Sequence, residues 1–181
     1  IAMDNGIKKI YTGKIVEITK HPDADKLQVC QVECLTEEGE PVTKQIVTAA
    51  TNVAVGQIVP VAYHKSRLAD GTEIKKGKLR GVASEGMFCS VAEFGISSDL
   101  VLPEEAQGIY IFPENTPIGL DVKDVLGMND TVYEFELTAN RADCFSMVGL
   151  SREFGMMTNQ KALFPVIMVN ENGESIEGKA S

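Results

Sequence analysis

One stretch sets the organisation of this chain: residues His64 to Ser90 read HKSRLADGTEIKKGKLRGVASEGMFCS. Asp70-Gly71 within it favours a tight hairpin turn, because these two residue types accept positive φ angles. The strongest basic cluster of the sequence lies around that turn and consists of Lys65, Arg67, Lys75, Lys76, Lys78 and Arg80. These six cations face only two acids between residues 65 and 80, whereas the whole chain carries a formal net charge of −9. We therefore predict a cationic hairpin that contacts a polyanion; a solvated surface hairpin is the open alternative.

Upstream of this stretch, four runs have the β-branched, alternating character of strands. They are Ile10–Ile18, Leu27–Leu35, Val42–Thr48 and Ile58–Tyr63. His21-Pro22 ends the first run, because proline lacks an amide hydrogen and restrains the residue before it. In the second run, alternate residues point to opposite faces of the strand. The set of alternate residues that includes Cys30 and Cys34 is the more apolar of the two, so we expect it to face the core.

Downstream of the stretch, Val91–Phe94 predicts a short helical turn and Ile109–Phe112 a last strand bounded by glycine and proline. Short strands, glycine turns and little helix together predict a small all-β barrel.

The pattern changes after Gly127. Thr131–Thr138 alternates like a strand, Asp143 is placed to cap a helix, and Phe145–Thr158 has helical spacing. We expect its apolar stripe to be core rather than a cofactor site; the stripe is Met147, Leu150, Phe154 and Met157. Pro165–Val169 is a further candidate strand, and the polar tail from Asn170 is unassigned. This second region has about fifty residues, a size at which a core is marginal, so we expect it to need other sequence to complete it.

The composition excludes several classes of protein. No apolar run reaches the ~20 residues of a membrane span, so no membrane partner is expected. The 4 cysteines and 2 histidines show no zinc-type spacing, and we expect reduced thiols and no metal site. The acidic balance argues against DNA as a partner. The beginning lacks a signal peptide and starts with Ile1, which we interpret as part of a longer polypeptide.

Three motifs occur in order: HPDADKL at His21–Leu27, KLRGVASEGMFCS at Lys78–Ser90 and LTANRADC at Leu137–Cys144. The first two resemble the EMAP-type tRNA-binding domain, an oligonucleotide-binding β-barrel. The third, with the helix after it, resembles the segment that follows this domain in bacterial phenylalanine–tRNA ligase β chains. The resemblance covers about residues 11–160. One departure is Thr48–Asn52, where the family usually has Cys-Gly-Ala-Pro-Asn; Asn52 is kept, and the proline is missing.

The resemblance implies a mainly β fold, in which a five-stranded OB-fold barrel is inserted in a small, partly present α+β domain. On this basis residues 1–10 are a remnant of the first half of the flanking domain. Residues 11–127 are the tRNA-binding barrel, and residues 128–181 are the second half of the flanking domain with its polar tail.

The resemblance also extends the candidate tRNA-binding residues, which are the basic cluster together with Asn52, Ser84, Glu85 and Met87. The Ser84 hydroxyl and nearby amides can bond phosphate or ribose; the alternative is that Ser84 and Glu85 brace the turn and Met87 fills the core. Aromatic residues make up only 6% of the chain, with no tryptophan, which favours recognition of backbone and shape. We expect a structural role for His21, and Arg141 and Asp143 either pair or cap the helix.

No catalytic constellation is present in the sequence. In the resembled ligase, ATP and phenylalanine bind mainly in the α subunit, and the editing and magnesium sites of the β chain lie outside this stretch. The resemblance therefore implies a non-catalytic, tRNA-binding part of a cytoplasmic enzyme of two α and two β subunits. ATP and magnesium are then cofactors of the whole enzyme and not of this fragment. Two alternatives stay open: a free-standing tRNA-binding or chaperone-like module, and a protein–protein docking module whose cations meet an acidic subunit.

Overall fold

The computed structural model describes residues 3–169 and residue 173. Two compact units divide between Tyr133 and Glu134. The tail from Asn170 lies outside the described residues apart from Gly173.

The first unit contains the strands of the described chain. They are β1 (Lys8–Lys20), β2 (Gln28–Leu35), β3 (Pro41–Thr48), β4 (Ile58–Arg67), β5 (Glu73–Ile74), β6 (Gly77–Leu79), β7 (Val82–Ser84) and β8 (Met87–Phe88). The main sheet is antiparallel with the order β3-β2-β1-β4-β5, and β8 also pairs with β4. Strands β6 and β7 form a separate hairpin. The four strands predicted upstream are confirmed, and β4 continues beyond Tyr63 to Arg67.

Helices are few and short. They are α1 (Pro103–Ala106), α2 (Val122–Val125) and α3 (Met147–Thr158), with 3-10 turns at Ala92–Phe94, Ser98–Leu100 and Ala142–Phe145. The first of these 3-10 turns confirms the helical turn predicted after the basic stretch. None of the helices in the described part of the chain combines the length and apolar composition that a bilayer crossing needs.

The predicted core face of β2 is confirmed. Cys30, Val32 and Cys34 are buried together in one of two apolar clusters of the first unit. All four cysteines are free thiols, as expected. Close packing over this face requires Gly13 on β1, since a Cβ there would lie 2.9 Å from a methyl carbon of Val32.

The basic stretch forms two hairpins rather than one. Asp70-Gly71 is the turn between β4 and β5, closed by a 3.0 Å bond from the Leu68 amide to the Thr72 carbonyl. A second turn at Arg80-Gly81 connects β6 to β7. The sequence prediction missed this second hairpin, whose strands are only three residues long.

The predicted strand Ile109–Phe112 is wrong. The Tyr110 amide bonds the Cys89 carbonyl at 3.0 Å, and the Phe112 amide bonds the Ile58 carbonyl at 2.8 Å. The segment crosses from one partner to another and therefore forms only an isolated bridge at Phe112. Its apolar character reflects burial of Ile109 and Phe112 rather than a strand ladder.

Two further strand predictions are wrong. Residues 132–138 and 161–169 are not assigned to strands. Both segments had the composition of strands, but a strand forms only where a neighbour supplies ladder hydrogen bonds. The described sheets include neither segment.

In the second unit the predicted helix is confirmed as α3, but its cap and its core face are not as predicted. Ser146, not Asp143, is the cap: its Oγ accepts a 3.0 Å bond from the Gly149 amide. The carboxylate of Asp143 is instead used by Arg141, at 2.9 and 3.2 Å, which confirms the predicted pairing. The expected core stripe is largely exposed, with Met147 at 80% and Met157 at 81%, because this small unit offers too little apolar surface to cover it.

Candidate nucleic-acid interface

The structure places the whole basic cluster on the two hairpins of the first unit. Lys65 and Arg67 lie at the end of β4, Lys75 and Lys76 link β5 to β6, Lys78 lies on β6, and Arg80 is in the following turn. Every one of the six residues is exposed. The cluster therefore presents its charge to solvent.

Only one member of the basic cluster is neutralised within the described part of the chain. Lys76 Nζ lies 3.2 Å from Glu85 Oε2, and the other five cations form no ion pair with a described residue. Burial acts to raise the pKa of Glu85, but hydrogen bonds from Lys76 and the Gln45 amide outweigh it, so this pKa lies below its ordinary value. Glu85 is thus ionised at neutral pH, and it offsets one of the six positive charges.

The second hairpin is held in place by His21, whose predicted structural role is confirmed. His21 is buried; its Nδ1 accepts a 3.0 Å bond from the Asp23 amide, and its Nε2 lies 3.0 Å from the Leu79 carbonyl oxygen. Because Nδ1 accepts, Nε2 carries the hydrogen and donates it to that carbonyl. The loop after β1 therefore fixes the strand that carries Lys78.

Three of the other candidate residues have structural partners. Ser84 is buried, and its Oγ accepts from the Val47 amide at 3.0 Å and donates to the Gly86 carbonyl at 2.9 Å. Met87 packs against the apolar core. The Asn52 side chain donates to the Ile109 carbonyl at 2.8 Å and accepts from the Ile109 amide at 3.1 Å. These contacts brace the fold, and direct contact of these residues with tRNA stays a prediction.

A groove that the sequence reasoning missed lies beside the basic cluster, between the β2–β3 turn and the end of β4. We call it the lysine groove; it has a volume of about 380 Å³ and is lined by Lys9, Thr36, Glu37, Glu38, Lys44, Tyr63, His64, Lys65 and Lys76. Lys44 shares the core-facing parity of Val42 and Ile46 on β3. A lysine at such a position is the signal that could have identified the groove.

The backbone around the lysine groove is unusual. Lys9 and Lys65 have φ angles of 58° and 63°, the left-handed region that non-glycine residues rarely adopt. They lie at an irregularity between β1 and β4, where Lys8 pairs with Arg67 but Ile10 pairs with Ala62. Both lysines at this irregularity line the groove.

Within the described residues, no group of three or more His, Cys, Asp or Glu side chains is arranged to hold a metal ion. The exposed basic cluster places positive charge on two short hairpins. Such a surface binds phosphates by releasing their condensed counterions.

Comparison with known proteins agrees with this chemistry. Residues 10–121 match the family described as "Putative tRNA binding domain". The chain is 47% identical to a phenylalanine–tRNA ligase beta subunit of Clostridium acetobutylicum over 161 residues, which is 89% of the chain and 19% of that protein. Its identity to the same subunit of Moorella thermoacetica is 43% over 176 residues, which is 97% of the chain and 21% of that protein. Its identity to the same subunit of Staphylococcus epidermidis is 48% over 169 residues, which is 93% of the chain and 21% of that protein. The chain thus spans about a fifth of the length of the curated relatives it matches.

Proposed function

The chain belongs to the tRNA-binding domain family, and from this premise we propose that it is the tRNA-binding, non-catalytic N-terminal part of a phenylalanine–tRNA ligase β subunit. The basic cluster then contacts tRNA while the ATP-dependent attachment of phenylalanine takes place elsewhere, in a cytoplasmic complex of two α and two β subunits. ATP and magnesium serve that complex and not this part of it. Support comes from the 43–48% identity to β subunits over nearly the whole chain.

The single observation that carries the proposal is the exposure of six cations, five of them without an ion pair among the described residues. On a chain with a net charge of −9, such a surface attracts a polyanion locally and repels it elsewhere. Each phosphate that a cation neutralises releases condensed counterions, which favours binding at low salt.

We further propose that the strands form an OB-type barrel that is inserted in a small α+β domain. The barrel comprises residues 11–127, and the two parts of the flanking domain are residues 1–10 and 128–181. Support comes from a ring of contacts. Strand β3 bonds to the segment before β8, through the Gln45 side chain to the Ala83 carbonyl at 2.8 Å and the Glu85 amide to the Gln45 carbonyl at 2.8 Å. Because β8 pairs with β4, this path returns through β1 and β2 to β3.

The proposal is tested by titrating the chain with tRNA and following fluorescence anisotropy between about 50 and about 200 mM salt. If three or four cations engage phosphates, the slope of log K against log salt is about −2 to −4. Lys78→Glu should reduce affinity about tenfold at the lower salt and reduce the slope by about one.

Lys14→Glu is the matched control, since exposed Lys14 pairs with Ile58 at the opposite end of β4 from Arg67. Its affinity should stay near that of the parent chain. A slope near zero, or equal losses in the two variants, contradicts the proposal. Normal tRNA binding with impaired subunit assembly in Lys78→Glu would instead favour the docking module.

A further inference from the structure

We propose that the lysine groove is a second phosphate-binding part of the tRNA interface, and that Glu37 and Glu85 compete with tRNA for two of its lysines. The inference rests on the proposed function and assigns Lys9 and Lys44 to it.

The four lysines of the groove fall into two kinds. Lys44 and Lys65 form no ion pair with any residue described in the structure, and the Lys44 Nζ lies 4.5 Å from the Tyr63 ring centroid. Lys9 and Lys76 are each held by one carboxylate: Lys9 Nζ is 2.6 Å from Glu37 Oε1, and Lys76 Nζ is 3.2 Å from Glu85 Oε2. Two cations are thus ready for an anion, and two become available when an acid is displaced.

The groove has walls that hold this arrangement. Its rim is the β2–β3 turn, closed by a 2.8 Å bond from the Thr36 amide to the Glu40 carbonyl. Its floor is Tyr63, which is buried and donates a 2.8 Å hydrogen bond to the Leu35 carbonyl. Tyr63 also packs against Tyr11 with ring centroids 4.9 Å apart. A tyrosine fixed in this way supports Lys44 by a cation–π contact and does not offer its face to a base.

The chemistry of the groove therefore selects phosphate rather than bases. Its volume of about 380 Å³ lies in the range of ligand clefts and admits a nucleotide-sized group. Lysine is a compact point charge that suits phosphate oxygens. The strained backbone at Lys9 and Lys65 places two of these charges at the cleft, and such strain clusters at binding sites.

Displacing Glu37 from Lys9 costs little free energy. The Lys9 and Glu37 side chains are 40% and 54% exposed, and ion pairs that exposed contribute little to stability. The hydrogen bond to Glu37 raises the pKa of Lys9 in the free chain. Because the ordinary pKa of a lysine already lies well above neutrality, Lys9 stays charged when a phosphate displaces Glu37. A phosphate entering the groove exchanges one anionic partner of Lys9 for another. Glu37 therefore lowers the affinity of the groove for phosphate, because a phosphate must displace it from Lys9.

Two substitutions with opposite expected effects on tRNA affinity, each with a matched control, test the inference. Affinity is measured by anisotropy titration of the full chain with tRNA. Lys44→Gln should weaken binding threefold to tenfold, roughly the effect of one lost phosphate contact, and reduce the salt slope by about 0.7 to 0.9. Lys44→Arg should retain binding, because it keeps both charge and ring contact. Glu37→Gln should tighten binding about threefold, because it releases Lys9. Glu38→Gln removes the same charge without releasing a lysine that is paired in the described structure, so its effect should be smaller.

The outcomes separate this inference from the proposed function. If Lys44→Gln and Glu37→Gln both bind like the parent chain while Lys78→Glu is weakened, the groove is not part of the interface and the proposed function stands. If Lys78→Glu also binds like the parent, the proposed function fails and the groove inference fails with it. Circular dichroism checks folding, and if Lys44→Gln does not fold, the surface variant Glu37→Gln decides: unchanged affinity overturns the inference.

Discussion

At the level of single residues, Lys65 shows how backbone strain accompanies the candidate site. Its φ of 63° is a conformation that costs an L-residue roughly 1–2 kcal/mol and costs glycine almost nothing. Lys65 is exposed on β4 and forms no ion pair with a described residue. We infer that this position is occupied by lysine for binding.

Comparison of Lys65→Gly with Lys65→Ala tests this interpretation. Both variants remove the charge, so both should lose tRNA affinity to the same extent. Only Lys65→Gly relieves the strain, so it should be the more stable of the two by about 1 kcal/mol in urea unfolding. Equal stability of the two variants would show that the left-handed backbone is not strained, and full tRNA affinity in both would remove Lys65 from the interface.

Single residues also mark the limit of sequence reasoning at this scale. The parity of Cys30 and Cys34 predicted their burial correctly, because alternation in a strand is a local property. The structural role of Ser84 depends on Val47, 37 positions away, and that of Asn52 on Ile109, 57 positions away. No local sequence pattern indicates such distant partners. Lys44 has a local signal, its core-facing parity on β3, but Lys9 has none, because the groove exists only after β1, β3 and β4 are assembled.

At the level of elements, the second hairpin depends on a buried histidine. The β6–β7 hairpin is outside the main sheet, and its strands are three residues each. His21 bonds the Leu79 carbonyl and the Asp23 amide, so it joins the loop after β1 to this hairpin. Lys78 and Arg80 are positioned through that contact.

His21→Ala should therefore affect both folding and binding. It leaves the Leu79 carbonyl and the Asp23 amide without their partner, which should lower the free energy of unfolding by about 1–3 kcal/mol. Hydrogen exchange should increase in β6 and β7, and tRNA affinity should fall because Lys78 and Arg80 lose their fixed positions. His64→Ala is the stability control: His64 is exposed, and its Nδ1 accepts from the Lys76 amide at 3.2 Å, so the change should be within about 0.5 kcal/mol. Unchanged stability and exchange in His21→Ala would contradict the role assigned to this histidine.

The elements that sequence patterns predicted are those with long internal regularity. Strands β1 to β4 have eight or more residues each, and α3 has twelve, so period and composition identify them. Strands β5 to β8 have two or three residues and exist because a neighbour pairs with them. The reverse error at Ile109–Phe112 has the same cause, since the segment has strand composition but its amides bond two different partners.

At the level of the whole molecule, the first unit contains everything the proposed function uses. Both apolar clusters, the basic cluster and the lysine groove lie before Tyr133. The Met3 amide bonds the Asp130 carbonyl at 3.0 Å, so the beginning and end of this unit are tied together. In the second unit, by contrast, Gly149 is the buried residue of α3, and most of the large apolar side chains of that helix are exposed.

A chain that ends at Tyr133 should consequently keep both stability and binding. Its core is intact, so urea unfolding should remain a single cooperative transition with the same midpoint as the corresponding transition of the full chain. Its tRNA affinity and salt slope should match those of the full chain, because all ten candidate residues and the lysine groove are retained. Adding Lys78→Glu to the shortened chain should reduce affinity by the same factor as in the full chain, since changes at independent sites are additive. If the shortened chain instead folds with an unchanged midpoint but loses tRNA affinity, residues after Tyr133 contribute contacts of their own, and the interface is larger than the two hairpins and the groove.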